Sequence, residues 1–192
     1  MGFSSAIKFS LISILILTIS QNLMVVPVGA LGTGGGTLIP QTCQKATQSS
    51  PGLSYDFCIK TLQSSSKSKT KELRWLGMIA SSLAGARATY GGKRADVLLA
   101  KTQDPYAQAK LTECKRLYAE AWSDAKQAKY AFKTNNGAEG NMHMGYALNK
   151  VVACEDSWKE EKGHVSLLTK ENYNLEQLSR MGVAIGNIMS RV

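Results

Sequence analysis

Four cysteines are placed symmetrically about two breaks in the chain. Cys43 and Cys58 flank the turn-forming run Ser-Ser-Pro-Gly. Cys114 and Cys154 each lie twenty residues from Thr134, which opens a second polar break. If the flanking segments are antiparallel helices, the members of each pair reach the same height on neighbouring helices, where a disulfide can close. Of the three pairings that four cysteines allow, the spacing predicts first with second and third with fourth.

Apolar residues recur at steps of three and four in the two segments that carry the second cysteine pair, which is typical of helices with one buried face. The two stripes are Ala107, Leu111, Cys114, Tyr118, Ala121, Ala125, Ala128 and Phe132, then Met144, Ala147, Val151, Cys154 and Trp158. Asp104-Pro105 predicts the start of the first of these helices. Thr169 is the predicted cap of the last helix, and Gly91-Gly92 predicts a kink or fraying in the long helix before them.

These patterns predict an all-α fold: an antiparallel up-down-up-down four-helix bundle over 67–192, preceded by a short N-terminal helical hairpin over 40–66 and held by two disulfides. The connections are short, which favours antiparallel neighbours. No alternation of period two persists long enough for a strand.

The N-terminal segment has the composition of a secretory signal peptide. Lys8 precedes an apolar run over 9–19, and Val28-Gly29-Ala30 offers a cleavage site, so we expect residues 1–30 to be removed. A signal anchor is the alternative, but the apolar run is shorter than the roughly 20 residues that span a bilayer. Residues 31–39 then predict a flexible Gly-rich N-terminus, and residues 40–192 the folded domain. We therefore expect a secreted protein, with no membrane attachment after cleavage.

The formal net charge is +9. In a cytosolic protein this would suggest nucleic acid, but the secretory route favours acidic polysaccharide or an acidic protein as partner instead. A solvated basic helix surface is the simpler alternative, because the lysines and arginines are scattered over the predicted helices.

No catalytic group can be assembled from the sequence, so we expect neither an enzyme nor a cofactor or metal site. The adjacent acids Glu155-Asp156 and Glu160-Glu161 would point about 100° apart on a helix and cannot act on one substrate atom. With both disulfides closed no thiol remains to act as nucleophile or ligand. The tryptophans, Trp75, Trp122 and Trp158, suggest bundle packing rather than a sugar platform, and Met142 and Met144 suggest core packing.

Several short motifs around the cysteines occur in a characteristic order. The run Tyr-Asp-Phe-Cys-Ile-Lys-Thr-Leu at 55–62 is followed by Glu113-Cys114 and by Cys154-Glu155-Asp156. With the leader, this order resembles the plant invertase and pectin methylesterase inhibitor family over residues from about 40 to 191. The runs at 159–163 and 169–172 are particularly similar to family members from pollen, some of which are allergens.

The resemblance implies the same bundle, hairpin and disulfide pairing, and inhibition by a one-to-one complex that blocks the active site of invertase or pectin methylesterase. In characterised invertase inhibitors, the loop between the second and third bundle helices carries Pro-Lys-Phe, which enters the sugar site. The matching stretch here reads Asn136-Gly137-Ala138, so that motif is absent.

The tip of this loop is the predicted partner-binding site, because a covalently registered hairpin presents its polar groups with little loss of entropy on docking. The predicted residues are Thr134, Asn135, Asn136, Glu139, Asn141 and His143. Among them, His143 is a candidate pH switch in a mildly acidic exterior. A plain turn that only connects two helices is the alternative.

The leading functional hypothesis is thus a secreted proteinaceous inhibitor of a plant carbohydrate-active enzyme, with invertase slightly preferred over pectin methylesterase. The alternative is a non-inhibitory basic protein that is retained on acidic pectin. Secretory entry predicts the extracellular cell wall (apoplast), and the vacuole follows from the same route.

Overall fold

Six α-helices account for most of the chain over residues 38–69 and 72–191, which are the residues that a computed structural model describes. They are α1 (Leu38–Ser49), α2 (Tyr55–Gln63), α3 (Leu73–Leu99), α4 (Pro105–Lys133), α5 (Gly137–Ser157) and α6 (Thr169–Met189), with a 3₁₀ turn at Trp158–Glu160 after α5. The predicted leader, residues 1–30, and residues 31–37 of the predicted flexible segment lie outside the described part.

The helices α3 to α6 form the predicted antiparallel four-helix bundle. In this bundle α4 packs against α3 and α5, and α6 packs against α5 and α3, so that the four helices close a square. Every residue of the two predicted stripes on α4 and α5 is buried. The 3.6-residue period therefore located the core correctly on both helices.

Both predicted disulfides are confirmed. Cys43 and Cys58 join α1 to α2 with their Cα atoms 5.8 Å apart, and Cys114 and Cys154 join α4 to α5 with a separation of 4.9 Å. All four side chains are fully buried. Each hairpin therefore has its register fixed by a covalent bond as well as by apolar packing.

Glycines allow the bundle helices to approach one another closely. Phe132 of α4 lies between Gly77 of α3 and Gly140 of α5, and a Cβ at either glycine would come within 2.6 Å of its ring. Near the same end, a Cβ on Gly186 of α6 would lie 2.6 Å from the carbonyl oxygen of Gly137 on α5. At the end of the bundle near Phe132, α3 with α4 and α4 with α5 are thus packed backbone against ring, and α5 with α6 backbone against backbone.

The glycine pair in α3 has a packing role, and the predicted fraying is wrong. The helix continues without a break through Gly91 and Gly92. Gly91 is buried, and a Cβ there would lie 2.5 Å from the ring of Tyr118. Glycine is required at this position because the Tyr118 ring occupies the space of a side chain.

The N-terminal hairpin α1–α2 packs on α6 through a polar clamp. The backbone N–H of Ser54 donates to Gln177 Oε1 at 2.8 Å, and Gln177 Nε2 donates to the carbonyl of Gly52 at 2.6 Å. Arg180 Nη1 donates to the carbonyl of Pro51 at 2.9 Å. The clamp satisfies backbone groups of the turn between α1 and α2 at Pro51, Gly52 and Ser54.

Helix boundaries differ from the predictions at two places. Helix α1 begins at Leu38, so the last two residues of the predicted flexible segment are helical, and Ile39 is buried. Leu168, not Thr169, is the residue that caps α6, and it makes no side-chain cap. The Thr169 hydroxyl instead donates to Glu155 Oε1 at 2.8 Å, because the end of α5 lies beside the start of α6.

Two predicted core residues lie at the surface. Trp122 is 46% exposed and Met142 is 43% exposed, whereas Trp158 and Met144 are buried as predicted. Trp75 is half-buried. Both exposed side chains lie off the buried stripe of their own helix, so the helical period was the better guide than residue type.

The glycine packing of α5 predicts opposite effects for two substitutions on the same helix. In Gly140→Ala the added methyl group meets the Phe132 ring, so we expect the free energy of unfolding to fall by about 1–3 kcal/mol. In Gly145→Ala the methyl group meets nothing within 4 Å, and the helix propensity of alanine should raise stability by about 1 kcal/mol or less.

Urea unfolding of both oxidised variants, followed by circular dichroism, measures the difference directly. Equal stability of the two variants would contradict the assignment of Gly140 as a close-packing position.

Candidate functional site

The tip between α4 and α5 is formed by three residues, each with its own role in the turn. The N–H of Asn136 donates to the carbonyl of Ala131 at 2.8 Å, and that of Asn135 to the carbonyl of Phe132 at 3.0 Å. These two bonds form a Schellman motif, in which the residue after the cap adopts a left-handed conformation. Asn135 takes that conformation, with φ at 59°.

Asn136 ends this motif and also begins α5 as its N-cap. Its Oδ1 accepts a hydrogen bond from the Glu139 N–H at 3.1 Å, and its Nδ2 donates to Glu139 Oε2 at 2.9 Å. The negative charge of Glu139 in the first turn also suits the positive end of the helix dipole. The two side chains are exposed but largely satisfied by one another.

The remaining tip side chains differ in what they can offer a partner. The Thr134 hydroxyl donates to the carbonyls of Tyr130 and Ala131, and so closes the end of α4. The Asn135 side chain is exposed and makes no hydrogen bond to any residue in the described ranges. Asn135 is therefore the tip residue whose amide donors and acceptor are all available.

The structure separates Asn141 from the rest of the predicted site. Asn141 is half-buried, and its Nδ2 donates to the carbonyl of Val183 on α6 at 2.8 Å. The same residue lines the contact with Gly186, where a Cβ would lie 2.8 Å from the Asn141 backbone nitrogen. Its side chain joins α5 to α6 and does not face solvent with the tip.

His143 also lies away from the tip, between α4 and α5. Its side chain is 12% exposed, and Nδ1 is buried 3.7 Å from Asp124 Oδ1 without a hydrogen bond. The ring of Tyr146 meets the imidazole edge-on at a centroid distance of 5.9 Å. His143 is therefore part of an interhelical polar pair and not of the exposed tip.

Burial controls the electrostatics of this pair. Loss of solvation raises the pKa of the Asp124 carboxyl above its ordinary value, and the neighbouring His143 and Lys150 oppose that rise. Glu120, the other acid that affects it, forms an ion pair with Lys150 at 2.9 Å. Acidification thus changes charge inside the α4–α5 hairpin.

Tyr130 is a surface residue of the tip that the sequence analysis missed. It is 66% exposed, and it lies one turn before Thr134, whose hydroxyl reaches its carbonyl. Lys133 is exposed beside it. Both positions fall off the buried stripe of α4, so the helical period combined with proximity to the turn could have identified them.

A second set of polar contacts joins the end of α5 and the start of α6 to α4, far from the tip. The buried hydroxyl of Tyr118 donates to Asn172 Oδ1, and Asn172 Nδ2 donates to Glu155 Oε2 at 2.6 Å. Burial raises the pKa of the Tyr118 phenol, with smaller contributions from Glu171 and Glu155, so the phenol stays a neutral donor. Glu155 is thereby occupied in packing.

The two adjacent acid pairs do not form paired carboxylates. Asp156 forms an ion pair with Lys159 at 2.6 Å, whereas Glu155 accepts hydrogen bonds from α6, and Glu160 forms an ion pair with Lys110 at 2.5 Å. Within residues 38–69 and 72–191, no three side chains of His, Cys, Asp or Glu gather as metal ligands. In the part of the chain that the structure describes, no helix has the length and apolar character needed to cross a bilayer.

Known proteins with this sequence pattern and fold point to one family. The family model for the plant invertase/pectin methylesterase inhibitor matches residues 37–185. A curated protein of Platanus acerifolia named "Putative invertase inhibitor" is 38% identical over 79% of this chain and 85% of its own length. A protein of the same name from Platanus orientalis is 37% identical over 79% of this chain and 89% of its own length. A pectinesterase inhibitor of Actinidia deliciosa is 26% identical over 79% of each chain.

Solved structures agree on the fold. A mutant form of a pectin methylesterase inhibitor from Arabidopsis superposes with a TM-score of 0.66 at 21% identity, covering 78% of this chain and 95% of the other. An inhibitor from Arabidopsis thaliana gives 0.57 at 22% identity, over 79% and 95%. The relatives are named inhibitors, and their family consists of inhibitors rather than enzymes. This chain belongs to the plant invertase/pectin methylesterase inhibitor family.

Proposed function

We propose that this protein is a secreted inhibitor that forms a one-to-one complex with a plant carbohydrate-active enzyme in the cell wall and blocks its active site. Invertase is favoured as the enzyme, because the two relatives named for invertase are 38% and 37% identical and the relative named for pectinesterase is 26% identical. The observation that carries the proposal is the α4–α5 tip, an exposed polar turn on a hairpin that is fixed at both ends.

Rigidity makes this tip suitable for docking. The Cys114–Cys154 bond lies twenty residues from the turn, so it fixes the hairpin about 30 Å from the tip at 1.5 Å per residue. Near the tip, Phe132 is held between two glycines, and Gly137 packs against the α6 backbone. A turn fixed in this way has little conformational entropy to lose when an enzyme binds it.

The tip combines one free amide with one exposed aromatic ring. Asn135 offers hydrogen-bond donors and an acceptor to polar groups of a sugar-binding cleft, and Tyr130 offers a large amphipathic surface beside it. Tyrosines of this kind are common anchors at protein interfaces. In this proposal Asn135 and Tyr130 take the place of the absent Pro-Lys-Phe motif, with Thr134, Asn136 and Glu139 shaping the turn around them.

We expect Tyr130→Ala combined with Asn135→Gly to weaken inhibition by about 30-fold, equivalent to roughly 2 kcal/mol for the loss of an anchor and its neighbour. Glycine is the suitable replacement at position 135, since it tolerates the positive φ there. Residual activities of purified acid invertase and of pectin methylesterase, measured separately over a range of oxidised inhibitor concentrations, give both the affinity and the target.

The matched control is Tyr90→Ala, which removes an exposed tyrosine on α3 that is 52% accessible and lies at the level of Gly91, far from the tip. It should inhibit like the wild type. Full inhibition by the tip variant would show that the interface lies elsewhere on the protein. If the wild type inhibits neither enzyme, the proposed function is wrong.

Burial of the Asp124 carboxyl predicts that the stability of the proposed inhibitor depends on pH. Because burial raises the pKa of Asp124 in the folded state, its ionised form opposes folding at neutral pH, and this cost disappears as the pH falls below the ordinary carboxyl value of 3.8. We expect Asp124→Asn to be more stable than the wild type at pH 7, with the difference shrinking toward pH 3.5.

Unfolding by guanidinium chloride at the two pH values measures this difference. A lower stability of Asp124→Asn than of the wild type at pH 7 would show instead that the favourable contacts of the Asp124 carboxylate exceed the cost of its burial. Since His143 is not on the tip, His143→Gln should leave the pH dependence of enzyme inhibition between pH 5 and 7 unchanged.

A further inference from the structure

A groove with positive charge and two indole rings runs between α3 and α4, and residues 64–67, which follow α2, border it at one end. One hollow of about 400 Å³ lies next to Trp75, and a second of about 210 Å³ lies next to Trp122. Ser82 and Lys129 line both hollows, so the two join into one continuous surface, which we call the α3–α4 groove. This surface does not depend on the tip or on the proposed inhibition.

The two tryptophans are spaced along the groove. Trp122 lies against Gly85 of α3, where a Cβ would be 3.7 Å from its Cδ1. Position 85 is ten residues from Trp75 on the same helix, which places the two indoles about 15 Å apart along the helix axis. That distance accommodates several rings of an extended sugar chain. Trp122 is 46% exposed, so a large part of its ring is accessible to a ligand.

The charged residues that line the two hollows are all lysines, and Glu72 and Arg74 lie beside Trp75 at the edge of the groove. Lys67 lies 4.3 Å from the centroid of the Trp75 ring, Lys126 lies 5.3 Å from that of Trp122, and Lys129 lies between them. No Asp or Glu side chain is among the residues that line either hollow.

These three lysines are exposed, and none is paired with a carboxylate of the described residues. Some lysines elsewhere on the bundle are paired, as Lys115 is with Asp96 at 2.6 Å and Lys150 with Glu120 at 2.9 Å, whereas others, such as Lys60 and Lys162, are exposed and form no ion pair within the described residues. The groove thus concentrates uncompensated ammonium groups beside aromatic faces.

Hydroxyl groups complete the surface. Ser82 Oγ donates to the carbonyl of Met78 at 2.6 Å, and Thr89 Oγ1 donates to that of Gly85 at 3.0 Å. Because each hydroxyl hydrogen is used within α3, the oxygen lone pairs remain as acceptors for an outside donor. A ligand that carries both carboxylates and hydroxyl groups matches this set, whereas a simple anion would leave the acceptors and the indole faces unused.

We propose that the α3–α4 groove binds a segment of a linear acidic polysaccharide, a chain of uronic acid sugars. The carboxylates lie at Lys67, Lys126 and Lys129, and the sugar rings stack on Trp75 and Trp122. The lysines that cover the indoles in the free protein move onto the carboxylates, at small cost, since exposed cation–π contacts contribute only about 0.5–1 kcal/mol. Binding holds the protein on a polyanionic matrix while the tip remains a separate element.

The test is titration of the oxidised protein, without any enzyme, with an oligomer of galacturonic acid at low and high salt. We expect tryptophan fluorescence to change, binding to weaken with salt, and a neutral glucose oligomer not to bind. Lys126→Gln with Lys129→Gln should weaken binding about fivefold, and Trp122→Ala about tenfold. Because enzyme is absent, failure here is distinct from failure of the proposed inhibition.

The matched control is Lys60→Gln with Lys162→Gln, which removes the same charge from exposed positions outside the groove and should change affinity less than twofold. Circular dichroism verifies that each variant is folded. If Trp122→Ala does not fold, the lysine variants still test the proposal. Equal weakening by both lysine pairs, unaltered binding in the groove variants, or tighter binding of a thymidine oligonucleotide than of the uronic acid oligomer would each overturn the proposal.

Discussion

The register of the α4–α5 hairpin is the constraint on which the other features of the bundle depend. Cys114 and Cys154 set that register at one end, and Phe132, placed between Gly77 and Gly140, sets it at the other. A shift by one turn would move the ring out of the space that the glycines leave and would separate the sulfur atoms. The position of the tip follows from this pairing, and the same register places Gly137 and Tyr118 where α6 contacts them through Gly186 and Asn172.

The two disulfides stabilise different parts in different ways. The bond between α4 and α5 adds to an apolar interface that buries two complete helical stripes. The bond between α1 and α2 joins helices of 12 and 9 residues, lengths at which isolated helices are marginal in water. This hairpin therefore depends on its covalent link and on the Gln177 and Arg180 clamp from α6 for its position on the bundle.

The sequence was sufficient for the elements whose causes are local or periodic. The stripes of α4 and α5, the Asp104-Pro105 start and both disulfide pairings follow from spacing alone, and all are confirmed. The errors share a different origin. Gly91 suggested a break because the sequence pattern does not show the Tyr118 ring of α4 that packs against it. Thr169 suggested a cap because the pattern does not show the Glu155 carboxylate of α5 that its hydroxyl contacts. Asn141 was likewise assigned to the surface because its acceptor lies 42 residues away.

The left-handed backbone of Asn135 restricts how a protein of this shape can acquire new targets. Only glycine, asparagine and aspartate adopt that conformation readily, so few residue types can occupy position 135 at the apex of the turn. The last turn of α4 carries no such restriction, since positions 130 and 133 are ordinary exposed helical sites. We therefore expect binding preference at this end of the bundle to change through substitutions at positions 130 and 133, while position 135 varies little.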